Sequence, residues 1–267
     1  MRSIYPQIPK AKQAVMQLFE DKWGRAKKKP YFLSQIAVLF EDSFSYNIVY
    51  QAAIQLCDEG KLAKSIRCSK NGKRLIFLNH SKFCDPKDKP SIDLHIHSIL
   101  KIVNEYSEKK NTDIIGNHLE SLVRTELERL GFEIIGTHTN KTEKKAYTKG
   151  KSTLDFIAKH KSDKLTIGVE VKNTLSVLDK KEVKTKIDIC DELGITPVFA
   201  VRQITPHLKL IEDHNGFPWI FKNILYPQQL EELGELSRRL DLPIEVSSTL
   251  PLESVNTFEK WVKHKIT

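Results

Sequence analysis

Three side chains near the middle of the chain, Asp155, Glu170 and Lys172, have the types and spacing of a divalent-cation site. Carboxylate oxygens suit Mg²⁺, which takes one or two of them and leaves its other positions to water and phosphate oxygens. A lysine beside such a cation can orient or deprotonate a water and stabilise charge building on phosphorus. The elements that must hold these groups run from Thr153 to Asn173. Two runs, one through Leu154, Phe156 and Ala158 and one through Leu165, Ile167, Val169 and Val171, alternate apolar and polar residues, the period of half-buried strands. The polar turn at Lys161–Lys164 is short enough to make them a hairpin. Side chains two apart share a face. The apolar positions are therefore expected to form the core face, with Asp155, Glu170 and Lys172 converging on the other. The same pattern also fits a solvated strand face with Asp155 at a polar edge.

Asp155 followed by Glu170-Val171-Lys172 at the end of an apolar strand resembles the PD-(D/E)xK nuclease signature, with Leu154 where the proline usually stands. Upstream, Gly116-Asn-His-Leu-Glu120 opens a helix that closes at Gly131-Phe132. It resembles the first helix of archaeal Holliday-junction resolvases and type II restriction endonucleases. Downstream, Thr196 to Arg202 resembles the strand after the second core helix. The likeness spans roughly Gly116 to Arg202 and is specific for the fold superfamily rather than for a substrate. It implies an α/β restriction endonuclease-like αβββαβ core with a mixed central sheet. It also implies that Asp155 and Glu170 hold Mg²⁺, with Mn²⁺ able to substitute, helped by the main-chain carbonyl of Val171 and by Glu120. Lys172 would position the attacking water for in-line phosphodiester hydrolysis. In the family the helix after the hairpin often supports the site through a glutamine or lysine. Here Lys184 and Lys186 are expected on or near its exposed side.

A chain of 267 residues suffices for one large or two modest domains. Its 43 Lys and Arg against 34 Asp and Glu leave a net charge of +9, which favours an anionic partner, most simply nucleic acid. No run approaches the ~20 apolar residues of a membrane span, and Met1 to Pro6 holds no apolar signal core. A cytoplasmic protein is the default expectation. The four cysteines are widely spread without a Cys-x-x-Cys pair, which argues against zinc and a disulfide framework. The absence of a Walker-type loop and of a nucleophile elbow argues against an ATP-driven motor and a serine hydrolase.

Residues 1–84 read as a winged-helix DNA-binding domain. Helical spacing places a helix over Pro9–Trp23, and Ser34 can cap a second over Gln35–Glu41. A third helix runs to about Glu59, with Gly60 as its C-cap. Asn71-Gly72 between alternating runs then signals a hairpin. In this reading the third helix enters the major groove through Tyr46, Asn47, Tyr50 and Gln51, and the wing supplies phosphate contacts from Lys70, Lys73 and Arg74. The same module can bind protein, and Asp58 and Glu59 weaken its basic character. Residues 85–112 read as a Pro- and charge-rich linker and an amphipathic connecting helix over Ser91–Lys110. His95 and His97 within it, two apart on a helix, do not face each other as ligands would.

Residues 113–267 form the expected nuclease domain. Its first helix, Asn117–Leu130, packs through Leu119, Leu122, Val123, Leu127 and Leu130, with Glu120 at the edge of that stripe. The first strand is Phe132–His138. Thr139–Lys151 is a lysine-rich loop expected to embrace a DNA backbone, with Lys149 and Lys151 nearest the cation; it also suits a plain solvated loop. A helix over Asp179–Leu193, a strand over Thr196–Val201, a strand over Phe217–Ile224, a helix over Gln228–Leu240, a strand over Ile244–Val246 and a helix over Glu253–Lys265 complete the expectation. The function implied is a Mg²⁺-dependent DNA endonuclease, a restriction-type enzyme acting as a homodimer on duplex DNA. The alternatives are a junction resolvase or repair nuclease reading DNA structure, and an inert nucleic-acid-binding regulator.

Overall fold

The computed structural model describes residues 5–267, and the chain forms two compact units. The first comprises the described residues through Lys109 together with Glu235–Leu242. It contains α1 (Ile8–Leu18), β1 (Tyr31–Phe32), α2 (Leu33–Leu39), α3 (Tyr46–Asp58), β2 (Leu62–Cys68), β3 (Arg74–His80) and α4 (Lys89–Tyr106). Strands β2 and β3 form an antiparallel hairpin from Leu62↔His80 to Cys68↔Arg74, and β1 pairs with the other edge of β3. The apolar faces of α1, α2 and α3 meet this sheet around Val15, Phe19, Ile36, Val49, Leu56 and Leu78.

Two local expectations fail here for visible reasons. Helix α1 stops at Leu18, because the Asp21 carboxylate accepts hydrogen bonds from the main chain of Trp23 and Arg25, both at 2.9 Å. That local turn competes with the helix and leaves Trp23 71% exposed instead of packed. Helix α2 is capped at Phe32 rather than at Ser34. Its Gln35 side chain reaches back to accept from Phe32 N at 3.3 Å and donates to Leu240 O at 2.5 Å.

The second unit comprises Lys110–Gly234 and Pro243–Thr267. Its elements are α5 (Lys109–Arg129), β4 (Phe132–Thr139), β5 (Leu154–His160), β6 (Thr166–Lys172), α6 (Lys180–Leu193), β7 (Thr196–Val201), α7 (Leu208–Asp213), β8 (Phe217–Ile220), β9 (Ile224–Tyr226), the first half of α8 (Glu231–Arg238), β10 (Ile244–Val246) and α9 (Leu252–Ile266); the second half of α8 counts with the first unit. Helix α5 begins at Lys109 and runs through Gly116 instead of opening after it. Burial of Ile115 outweighs the ~1 kcal/mol that one helical glycine costs. The expected strand over 217–224 is two strands, broken where Lys222 takes φ +68°. The helix expected from Gln228 begins at Glu231, after a 3-10 turn.

Strands β4 to β8 form one mixed sheet in chain order. The β4–β5 and β5–β6 pairs are antiparallel, and β6–β7 and β7–β8 are parallel. Each face carries its own core. One gathers Leu119, Val123 and Leu127 of α5 and Phe258 of α9 over Phe156, Val169 and Val198. On the other, Ile189, Cys190 and Leu193 of α6 lie over Leu154 and Ile157. Leu154 thus leaves the core face expected for it beside Phe156. Its Cδ1 and the Sγ of Cys190 fill the space above Gly168, where a Cβ would stand only 2.6 Å and 2.7 Å away.

Gly168→Ala is therefore expected to cost about 1–3 kcal/mol of stability through overpacking. Gly116→Ala in α5 meets nothing within 4 Å and is expected to be neutral or to stabilise by up to ~1 kcal/mol. Denaturant unfolding of both variants decides this; equal effects would show that close approach of α6 to β6 is not the constraint.

Candidate active site

The hairpin brings the two carboxylates of the motif together. Phe156 pairs with Val169, so one further step along the same antiparallel ladder sets Asp155 beside Glu170. The Asp155 Oδ2 accepts a hydrogen bond from Val171 N at 2.7 Å, fixing the carboxylate against the neighbouring strand. Phe156 and Val169 belong to the α5 side of the sheet, which leaves Asp155, Glu170 and Lys172 on the α6 side. Glu170 is buried, whereas Lys172 is partly exposed and held at 3.1 Å by Glu182 from the first turn of α6. That turn is fixed by Asp179, whose side chain accepts from Glu182 N.

Helix α6 supplies a group that reading the sequence placed on or near the exposed side. Lys186 is only 14% exposed, and its Nζ lies 2.5 Å from Glu170 Oε2 and 2.5 Å from the main-chain oxygen of Thr153. Of the two lysines considered on this helix, only Lys184 is exposed. Lysine at 186 falls one position before the buried Ile187, and no spacing rule distinguishes it from a solvated neighbour.

Glu120 approaches from α5 through an intermediary. His138 Nε2 stands 3.8 Å from Glu120 Oε2, and its Nδ1 stands 3.7 Å from Asp155 Oδ1. His138 takes φ +44° at the end of β4, an uncommon backbone conformation for a non-glycine residue. Its role is carried by nothing in the local sequence. Burial and the nearby Asp155 charge raise the Glu120 pKa, with His138 and Arg124 opposing. For Glu170, burial first and Asp155 second push the pKa up to about 7, against the pull of Lys186. The ion pair with Lys186 is accordingly complete above neutrality.

Among the described residues, no three His, Cys, Asp or Glu side chains form a ready cation cage. Asp155 is engaged by Val171 N, and Glu170 by Lys186. The donor set nonetheless fits a hard divalent ion. It is all oxygen, and Glu170 Oε2 is buried with no hydrogen-bond donor in good geometry, facing only an ammonium that stands where a cation would neutralise it.

The loop expectations divide. Lys149 pairs with Glu192 at 3.3 Å, six residues beyond Lys186 along α6. Lys151 is exposed. Asn173, just beyond the motif and assigned no role by the sequence, is buried and donates to Ile115 O at 2.9 Å and Leu225 O at 2.7 Å. It also accepts from Leu225 N at 3.0 Å. It thereby ties the end of β6 to α5 and β9.

In the first unit, Tyr46, Asn47 and Gln51 are exposed along α3, and Tyr46 stacks on the half-buried Tyr50 at 6.4 Å. Lys70, Lys73 and Arg74 are exposed at the hairpin tip, where Gly72 takes φ +79°. His95 and His97 are exposed on α4, and Glu126 on α5 is ion-paired to Arg129 at 2.6 Å. No family model matches the chain, and comparison with characterised proteins and with solved structures likewise finds no match.

Because the Glu170 pKa is raised on folding, the metal-free folded protein holds an extra proton between the ordinary value of 4.5 and about 7. Stability from this group is present at low pH and lost as pH rises through about 7, amounting to roughly 3 kcal/mol. Glu170→Gln lacks that titration. Its stability relative to wild type is expected to improve by about that amount between pH 4.5 and 8 in chelator, and parallel pH profiles would refute the shift.

Proposed function

We propose that the second unit is a Mg²⁺-dependent nuclease of the PD-(D/E)xK type, and that the chain cuts duplex DNA. The observation that carries this reading is the pairing of Asp155 and Glu170 across one strand ladder, with Lys172 one alternation further on the same face. Order and direction of the surrounding elements, α5-β4-β5-β6-α6-β7 with a mixed sheet, support it.

In this reading Asp155 and Glu170 supply carboxylate oxygens to the ion, joined by the Val171 carbonyl, with Mn²⁺ an adequate substitute for Mg²⁺. A divalent ion held there would supply Lewis acidity toward a phosphate oxygen and a water. Lys172, already restrained by Glu182, holds the attacking water and stabilises the charge that develops on the phosphate. Glu120 acts at one remove. With His138 between them, it sets the field at Asp155.

The first unit is read as a winged helix. Three helices followed by a hairpin, the exposed polar face of α3 and the cationic hairpin tip support that reading. Tyr46, Asn47 and Gln51 would meet base edges, while Lys70, Lys73 and Arg74 would meet phosphates. A helix that reads bases favours a restriction-type enzyme over one that senses DNA shape. Cutting both strands with one site per chain would take two copies.

Lys172→Ala and Asp155→Asn are expected to lower metal-dependent cleavage of plasmid duplex by on the order of 10²–10³ or more while leaving the fold intact. Discrete fragments from wild type would fit the restriction reading, and cutting of four-way junctions alone would replace it with a resolvase. Wild-type-like cleavage by either variant would sink the site. Separately, Lys73→Ala and Arg74→Ala should each reduce the slope of log affinity against log salt by about one. An unchanged slope would remove the hairpin tip from the interface.

A further inference from the structure

The buried pair between Lys186 and Glu170 has a consequence beyond the motif. We infer that Lys186 is a built-in counter-ion that occupies the cation's place in the metal-free protein, so that a divalent ion must displace it from Glu170. The inference rests on the cation-site reading above and concerns how that site is held and what it admits.

Glu170 lies inside the sheet–helix interface, where an unpaired carboxylate would be costly. The partner provided is not a hydrogen-bond donor from the neighbouring strand but a full charge from α6, at 2.5 Å. Lys186 has a second station, the Thr153 oxygen, also at 2.5 Å and two residues before Asp155. An ammonium that yields Glu170 to an incoming ion therefore keeps one acceptor and is not stranded without a partner.

The arrangement discriminates by charge. A monovalent ion would offer Glu170 no more charge than the tethered ammonium does. A divalent ion held by the neighbouring Asp155 and Glu170 would bring twice the charge. Lys172 does not share this role, because it pairs with Glu182 and not with Glu170. Lys186 would thus weaken binding of the ion while keeping the site folded without it. A lysine serving only to position Glu170 would instead strengthen ion binding.

The full-length chain, freed of metal, is titrated calorimetrically with Mg²⁺ and separately with Ca²⁺, without nucleic acid. Wild type, Lys186→Met, Lys186→Gln and Asp155→Asn are compared, and each is also melted in chelator and in saturating Mg²⁺. Lys186→Met is expected to bind either ion roughly tenfold or more tightly than wild type, since a nearby like charge is removed. It should melt lower than wild type in chelator and gain more from Mg²⁺. Lys186→Gln, which keeps amide donors for Glu170 and the Thr153 oxygen, gives the same comparison if the methionine variant does not fold.

Unchanged or weaker ion binding in the Lys186 variants, with Asp155-dependent binding in wild type, would overturn the counter-ion role alone. Binding absent from wild type but present in a Lys186 variant would support it in its strongest form. No binding in wild type or in either Lys186 variant would overturn both this role and the cation site.

Discussion

A carboxylate withdrawn from water between a sheet and a helix must be neutralised, and Glu170 is that carboxylate. Its burial pushes its pKa to about 7, and the neighbouring Asp155 charge adds to the shift. Lys186 lies against it, and Asp155 is restrained by a main-chain hydrogen bond rather than by another cation. Glu120 carries a smaller version of the same stress and has His138 beside it. These contacts arise from one electrostatic condition, namely that acidic groups gathered where water is scarce need cationic or donor partners.

Close packing makes that condition possible. Helix α6 can lie low on β6 because residue 168 has no side chain, and Leu154 and Cys190 use the space. The depth of that packing is what takes Glu170 out of solvent and brings Lys186 within reach of it. Asn173 secures the other end of the strand through three hydrogen bonds to α5 and β9. The strand that carries Glu170 and Lys172 is therefore fixed at both ends.

The first unit follows a different logic. Its core is a meeting of apolar helix faces with a small antiparallel sheet, and its polar features are left on the outside. Exposure of Tyr46, Asn47 and Gln51 on one helix, and of Lys70, Lys73 and Arg74 at a hairpin tip, leaves donors and charges unburied. In the second unit polar groups are paired inside the packing; in the first they are left outside it.

Much of this was legible without coordinates, for reasons of periodicity. Alternation placed β5 and β6 and put Asp155, Glu170 and Lys172 on one face, because a strand's side chains can point only two ways. Glycines with positive φ at 60, 72 and 131 mark ends and turns, since left-handed backbone is costly with a Cβ. The start of α5, the end of α1 and the break after β8 do not follow from periodicity. At the first two, a local preference competes with packing or with a side-chain hydrogen bond that propensity does not weigh. Lys186, His138 and Asn173 could not be assigned at all. Each is an ordinary polar residue in its own segment and acquires meaning from partners 16, 17 and 52 or more positions away. The sequence determined which side chains share a face; only the tertiary structure decided which of them lose water and what neutralises them. Alternation is a property of one strand, whereas desolvation is a property of everything packed against it.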